Sequence, residues 1–383
     1  MPSELVIAAG PGEWRAVWLE HGQPIELYVE RGDTKPPGSI HLGRVTRVAS
    51  ALEAAFVDIG DDRPGFLPLR ELATRPNEGS RLLVRVRREA WAEKAPRLTV
   101  KLAGAHLPAL SASAAQLEPP VQLHPQPGLG AALALRLPTG PSRIVTDDTA
   151  ILAELRRAFP STELSSRVAD WRFDLDAVFD AALALSVALP GGGAVHFAQT
   201  AAATVIDVDT GTPAGGKAES AALASNIAAT AEIARQLRLR NVGGAIIIDF
   251  VGLNRRTHRD QLRQAFEAAL AGDPANPEVL GWTRLGHLEL LRPRRGRSLA
   301  DAMLEPNTVV KQPVALAHEL LRRVLREARI APSANWLIVL TPAVAAALHG
   351  RAEPALRALE ARLGRPIAIG VEPGRDGFDI RTI

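Results

Sequence analysis

Apolar and polar positions alternate in short runs from the start of the chain. ELVIAA and WRAVWLE flank Gly10-Pro11-Gly12, and IELYVER follows His21-Gly22-Gln23-Pro24, which predicts three strands joined by tight turns. From about Gly38, IHLGRVTRVAS, EAAFVDIG, GFLPLRE, RLLVRVRRE and LTVKLAG repeat the alternation between Gly and Asp turns. Five such strands suit a small Greek-key barrel of the OB-fold kind. Residues 105–140 are rich in Pro, Gly, Ala and Ser and read as a linker. Regularity returns with a strand, SRIVTDD. Two helices follow, DTAILAELRRAFP (with Asp147 or Asp148 as N-cap) and DLDAVFDAALAL.

The centre has a βαβ-like pattern. AVHFAQTAAATVIDVDTG predicts two strands, and ESAALASNIAATAEIARQLRLR a long amphipathic helix ended by Gly243-Gly244. AIIIDFVGL is a continuous apolar run, as in a buried strand. HRDQLRQAFEAALAG is a helix, and WTRLGHLELLRPRRGRS a strand with a basic exit. From Pro313 the pattern is helix–strand–helix–helix–strand, a small separate α/β domain.

Composition narrows the chemistry. With no cysteine among 383 residues, disulfides and thiolate zinc sites are excluded, and the nine histidines show no HExxH spacing. A hydrophobic fraction of 46% is ample for packed cores; the formal charge is only +3, but a pI of about 9.6 leans weakly toward a polyanionic partner. The N-terminus lacks the basic-then-apolar order of a secretory signal, and no apolar run approaches the roughly 20 residues that span a bilayer. A soluble cytoplasmic protein with no membrane partner is the expectation.

Two strand ends carry the strongest chemical signal. TVIDVDTG delivers Asp207 and Asp209 to one face of a strand, and AIIIDF delivers Asp249. If the strands are neighbours the carboxylates converge, and hard oxygen donors without Cys or His favour Mg2+, with Mn2+ also suited. The bland alternative makes these aspartates turn formers or helix caps. Phe56 and Phe66, with Arg44, Arg47, Arg63 and Arg85 near them in sequence, could stack RNA bases and track phosphates. Equally, both rings could fill the barrel core. Arg292, Arg294, Arg295 and Arg297 follow the last central strand as a phosphate-binding stretch or a solvated loop.

These residues resemble the catalytic half of the bacterial ribonuclease E/G family, over most of the chain. The block GGGAVHFAQTAAATVIDVDTG, then SNIAATAEIARQLRLRNVGGAIIIDF, is the most specific part, and IHLGRVTRVASALEAAFVDIGDDRPGFLPLRE is similar to the family's RNA-binding barrel. The resemblance implies an α+β/α/β composite. Residues 1–35 and 141–197 would build a ribonuclease H-like subdomain, with the OB-fold barrel inserted at 36–104 and the linker at 105–140. Residues 198–305 would be a deoxyribonuclease I-like catalytic subdomain, and 306–383 the small C-terminal α/β domain. Asp207 and Asp249 would hold Mg2+, with Asp209 catalytic beside them. Phe56, Phe66 and Lys94 would contact RNA, and Arg292 and Arg294 would balance charge at the phosphate. Asn226, Arg235 and Arg240 match family positions in the long helix, with Arg235 and Arg240 read as structural, solvated helix charges. Lys217 and Glu219 lie at that helix's entrance.

The departures carry as much information. The family has Asn where this chain has Asp209, which could add a metal ligand or repel the phosphate. The 5′-end sensor is replaced by 105–140, and one of its arginines falls on Asn276, so no preference for 5′-monophosphate ends is expected. PNTVVKQP replaces the zinc-linking cysteines, which excludes a zinc-linked assembly and leaves a homodimer open. The expected function is Mg2+-dependent endoribonuclease action on single-stranded RNA, leaving 5′-phosphate and 3′-hydroxyl ends. The alternative is a non-catalytic RNA-binding protein on the same scaffold.

Overall fold

The computed structural model describes the chain except residues 1–2, 33–34, 91–94, 103–106, 125–128, 138, 167–173, 191, 201, 210–217, 306–307 and 376. Lys94 and Lys217 therefore lie outside the described residues. The chain forms two compact units: 1–29, 142–147 and 165–383 make one, and 30–141 with 148–164 the other. No described helix is long and apolar enough to cross a membrane.

The larger unit begins with the predicted hairpin, β1 (Ser3–Gly10) and β2 (Glu13–Glu20), followed by β3 (Gln23–Arg31). Its first sheet is completed much later in the chain, where β10 (Arg143–Thr146) lies parallel to β1 and carries β11 (Glu163–Ser165) on its outer edge. The intervening residues build the second unit.

That unit holds the barrel: β4 (Ile40–Ala49), β5 (Ala54–Asp58), β6 (Gly65–Pro68), β7 (Arg81–Arg88) and β8 (Arg97–Thr99). The order β5-β6-β8-β7-β4 closes because β4 also pairs with β5, a closed five-stranded barrel compatible with an OB-fold. Val45, Ala55, Val57, Leu67, Val84, Val86 and Leu98 fill it. Glycine is needed at position 43, where an added Cβ would stand 2.8 Å from the Asp58 carbonyl oxygen as β4 crosses β5. The 105–140 segment departs from the linker expectation. It forms α1 (Leu107–Ala115), β9 (Val121–His124) and α2 (Leu129–Arg136), and β9 pairs antiparallel with β4. Its Pro and Gly punctuate short elements that gain order by docking, not by intrinsic propensity. The helix α3 (Leu152–Ala158) follows a turn whose N-cap is Asp148.

Back in the larger unit, α4 (Leu175–Leu183) is capped by Asp174. Next come β12 (Ser186–Ala188), β13 (Ala194–Gln199), β14 (Ala203–Asp209), α5 (Ala218–Leu239), β15 (Gly244–Asp249) and α6 (Arg256–Leu270). The predicted strand with a basic exit is a hairpin, β16 (Glu278–Trp282) and β17 (Leu288–Arg292), because Gly281 and Gly286 supply the positive φ its bulge and turn require. The sheet order is β12-β13-β14-β15-β17-β16. Ala229, Ile233 and Leu237 of α5 and Leu262, Phe266 and Leu270 of α6 bury one face of it, against Ile206, Val208, Ile246, Ile248, Leu288 and Leu290. The other face is open. This corrects the reading of β15 as buried on both sides: Ala245 and Asp249 are exposed while Ile246 and Ile248 are buried.

After α7 (Leu299–Met303), the C-terminal part comprises α8 (Pro313–Ile330), β18 (Trp336–Leu340), α9 (Pro342–His349), α10 (Glu353–Leu363), β19 (Ala368–Val371) and β20 (Phe378–Thr382). It has one strand more than the sequence pattern predicts, in the order β19-β18-β20.

Candidate active site

Parallel pairing of β14 and β15 sets the site. Its register runs from Ala203 opposite Ala245 to Asp207 opposite Asp249, so two carboxylates end adjacent strands side by side. Both are exposed on the open face, and Asp209, two residues on, shares that face while Val208 turns into the core. Like charges directly opposite on neighbouring strands destabilise a sheet. Among the described residues neither Asp207 nor Asp249 pairs with Arg or Lys; Asp249 meets only His287, with Nε2 3.7 Å from Oδ2. Two unneutralised hard-oxygen donors at one sheet edge are the donor chemistry a divalent cation needs. Among the described residues no group of three or more His, Asp or Glu side chains could hold a metal ion.

The loop after Asp249 is held from α5. The buried Asn226 side chain donates to the Val251 carbonyl oxygen at 2.7 Å and accepts from the Val251 N–H at 3.1 Å. Glu219 accepts from the backbone N–H groups of Asn254 and Arg255 and contacts His258 Nδ1 at 3.0 Å. The backbone N–H of Arg255 and the hydrogen bond with His258 hold the Glu219 carboxyl below its ordinary range. Both residues fix the turn that ends β15 and starts α6.

The basic exit of β17 does not serve the expected purpose. Arg292 is buried; its Nε donates to Asp273 Oδ2 at 2.6 Å and its Nη1 to the Val242 carbonyl oxygen at 2.7 Å. It is a structural ion pair, which corrects its assignment as a phosphate contact. Arg294 is exposed but covers Gly243-Gly244: a Cβ on Gly244, at φ +103°, would meet its guanidinium at 2.6 Å. Gly244 and Asp249 are opposite ends of β15, about 16 Å apart at a strand's rise. Arg294 is therefore corrected as well, since it packs at the wrong end of the strand to balance charge at Asp249. The arginines at the right end are Arg255 and Arg256 opening α6 and Arg284 in the β16–β17 turn, all exposed. They lack a motif, and sequence reading passed over them. Arg235 and Arg240 are structural, but as partnered side chains and not as the solvated helix charges expected, and Arg240 is buried. Arg235 binds Glu232 and the Pro24 carbonyl oxygen, and Arg240 binds Gln236 and the Ala184 carbonyl oxygen with its guanidinium 4.3 Å from the Phe197 ring centroid.

In the barrel, Phe56 and Phe66 are register partners on β5 and β6, with ring centroids 6.0 Å apart and edge-to-face. Each is partly exposed, while Ala55, Val57 and Leu67 point inward, so the rings lie on the outer surface and not in the core. The Arg47 guanidinium lies 4.4 Å from the Phe56 centroid and that of Arg97 lies 6.0 Å from Phe66. Arg97 was not singled out in the sequence, because only the β6–β8 pairing brings it to Phe66. Arg44 is instead paired with Glu118 at 3.0 Å.

Comparison with known proteins gives a consistent answer. The model of the Ribonuclease E/G family matches residues 116–295. Ribonuclease G of Escherichia coli (strain K12) is 25% identical, with 99% of each chain covered. That alignment runs over 486 positions, more than the 383 residues here, so the relative carries segments this chain lacks. Ribonuclease E of Synechocystis sp. is 27% identical over 80% of this chain and 59% of its own length. The family match, the end-to-end likeness and the paired strand-end aspartates together make the chain similar to the ribonuclease E/G family.

Proposed function

We propose that this chain is an endoribonuclease of the ribonuclease E/G family and hydrolyses single-stranded RNA at Asp207 and Asp249 with Mg2+ as cofactor, leaving 5′-phosphate and 3′-hydroxyl ends. One observation carries the reading: Asp207 and Asp249 are register partners on an open sheet face without an Arg or Lys partner among the described residues. An ion held by the two carboxylates would supply Lewis acidity toward the scissile phosphate and a more acidic water. Asp207 and Asp249 provide the negative charge that holds it. Asn226 and Glu219 keep the Asp249 turn in place, and Asp209 sits one position further along the same face, where it orients water or phosphate. Arg255, Arg256 and Arg284 attract the RNA backbone to this end of the sheet.

Unpaired bases stack on Phe56 and Phe66, with Lys94 as a further contact, which selects single-stranded over duplex RNA. The division into ribonuclease H-like and deoxyribonuclease I-like subdomains, with the barrel as an insertion, belongs to this reading. So do action in the cytoplasm and the absence of zinc-linked pairing. The short 105–140 segment supports indifference to the 5′ end, so matched 5′-phosphate and 5′-hydroxyl substrates are cut comparably. A large 5′-phosphate advantage would contradict that part alone.

The test is cleavage of a short unstructured RNA across a Mg2+ and Mn2+ titration. Asp207→Asn and Asp249→Asn each lower the rate by more than the about 100-fold typical of losing an outer-shell metal partner, with RNA affinity retained. Parent protein that binds RNA but never cuts it, at any concentration of either ion, is a binding module and not a nuclease.

A further inference from the structure

The acidic strand ends are one row of an open face whose next rows are apolar. Behind Asp207 and Asp249 along β14 and β15 stands Val205 opposite Ile247, and behind that pair Ala203 opposite Ala245. β13 extends the first of these rows with Ala198 opposite Val205, and β17 extends the second with Leu291 opposite Ala245. Val205 is 38% and Leu291 44% exposed, and Ile247 is partly buried. One carboxylate interrupts the patch. Glu289 of β17 stands opposite Ile247, is exposed, and has no hydrogen-bond or ion-pair partner among the described residues. A contiguous exposed apolar patch marks a contact surface. This one starts a single row, about 7 Å, from the paired aspartates.

We propose that Val205 and Ile247 are the floor for the base of a nucleotide flanking the scissile phosphate, and that Glu289 reads that base and selects guanine. The inference rests on the reading of Asp207 and Asp249 above and deepens it from RNA to a preferred base. A phosphate held at the strand ends leaves a neighbouring base within reach of the next row, and an unpaired base lying flat there removes its apolar face from water. Two β-branched side chains on adjacent strands, about 4.8 Å apart, present a flat surface to it. Ala198, Ala203 and Ala245 around them leave room above the sheet. Glu is longer than Val or Ile, so the Glu289 carboxylate rises beside the floor to the level of a base's edge. An ionised carboxylate only accepts hydrogen bonds. Guanine offers it two adjacent donors, N1–H and the N2 amino group, one for each oxygen. Adenine and cytosine offer one amino group next to a ring nitrogen that repels it, and uracil offers one N–H between two carbonyls. A second copy of the chain would also cover an apolar face, but it would bury Glu289, which is costly unless that copy supplied donors, whereas a base brings its own.

The experiment gives the full chain a pool of unstructured RNAs of random sequence and sequences the product ends, then uses oligonucleotides that differ only at the position so found. Guanine is expected to be enriched at one nucleotide beside the cut, with kcat/KM about tenfold above that of the uracil substrate, as one bidentate contact implies. Glu289→Ala should bring the substrates within about twofold of one another. Glu289→Gln, whose amide both donates and accepts, should raise uracil relative to guanine. Val205→Ser should slow all of them about equally, since the floor meets the face of any base. Glu289 and Val205 are exposed, so the variants should fold, and circular dichroism checks that they do. If the parent cuts with no base preference beside the cut, or with one that survives Glu289→Ala, the inference is overturned and the aspartate reading stands. Parent protein that cuts no RNA, or Asp207→Asn that cuts as fast as the parent, fails the aspartate reading and this inference with it. A parent dimer that sedimentation shows to be broken by Val205→Ser or Glu289→Ala gives the face to a second copy and also overturns the inference.

Discussion

Asn226 shows how one buried polar side chain can govern a site it does not enter. Its amide satisfies both backbone groups of Val251, two residues beyond Asp249, from inside α5. Removing it strands a partly buried N–H and carbonyl, each costly to leave unpaired. Asn226→Ala is expected to lower stability by about 1–3 kcal/mol, read from urea unfolding. It should also reduce cleavage more than RNA binding, because the turn holding Asp249 loosens. Asn226→Asp keeps the acceptor for the Val251 N–H and should recover part of the lost stability. Equal losses of binding and cutting would assign the residue to general folding. Gly244 makes the complementary point: its positive φ and the guanidinium lying over it leave no room for a side chain.

At the scale of elements, the barrel and the six-stranded sheet place their working residues by the same rule. Strand alternation commits one set of side chains to the core and frees the other. On β5 and β6 the freed set includes Phe56 and Phe66. Phe56→Ala and Phe66→Ala should therefore leave the barrel folded and weaken single-stranded RNA binding by about 1–3 kcal/mol each, the worth of one stacked base. Fluorescence anisotropy against a labelled oligonucleotide measures this, and a melting temperature that collapses in either variant would return that ring to the core. Arg47→Ala should also flatten the dependence of affinity on salt, since a lost phosphate contact removes roughly 0.7 from the logarithmic slope for a single strand.

Across the molecule, a buried ionic cluster ties distant segments of the larger unit together. Arg15 of β2 binds Glu13 at 2.9 Å and Asp176 of α4 at 3.1 Å. Arg322 of α8 reaches the same two carboxylates, and Arg326 reaches Asp176. Burial alone would raise the Asp176 pKa, but Arg322, Arg15 and Arg326 outweigh it and hold the carboxyl down to about 2, from 3.8 when free. A depressed carboxyl stabilises the fold in full above its unfolded value, and that contribution is lost as pH falls from about 4 to about 2. The chain should therefore keep its midpoint down to about pH 4 on this account and lose stability steeply below it. Asp176→Asn should cost about 3–5 kcal/mol near neutral pH, because it leaves buried guanidinium charge uncompensated, and should flatten the acid limb. Unfolding midpoints across that pH window decide it; an acid limb unchanged in the variant would assign the transition to other carboxylates.

The sequence by itself determined the local elements and the acidic strand ends. Apolar periodicity marks α5, α6 and α8, and the turn glycines mark the first hairpin. TVIDVD and AIIID end in carboxylates whatever lies beside them, and EIARQLRLR with the following GG was specific enough to carry the family resemblance. What the tertiary structure decided is which side chains meet, since partners across a sheet come from segments far apart in the chain. Strand register set Asp207 against Asp249 and brought Arg97 to Phe66. The turn after α6 brought Asp273 to the buried Arg292. Short Pro- and Gly-rich elements such as β9 were illegible for the same reason, because β4 supplies the hydrogen bonds their own sequence does not encode.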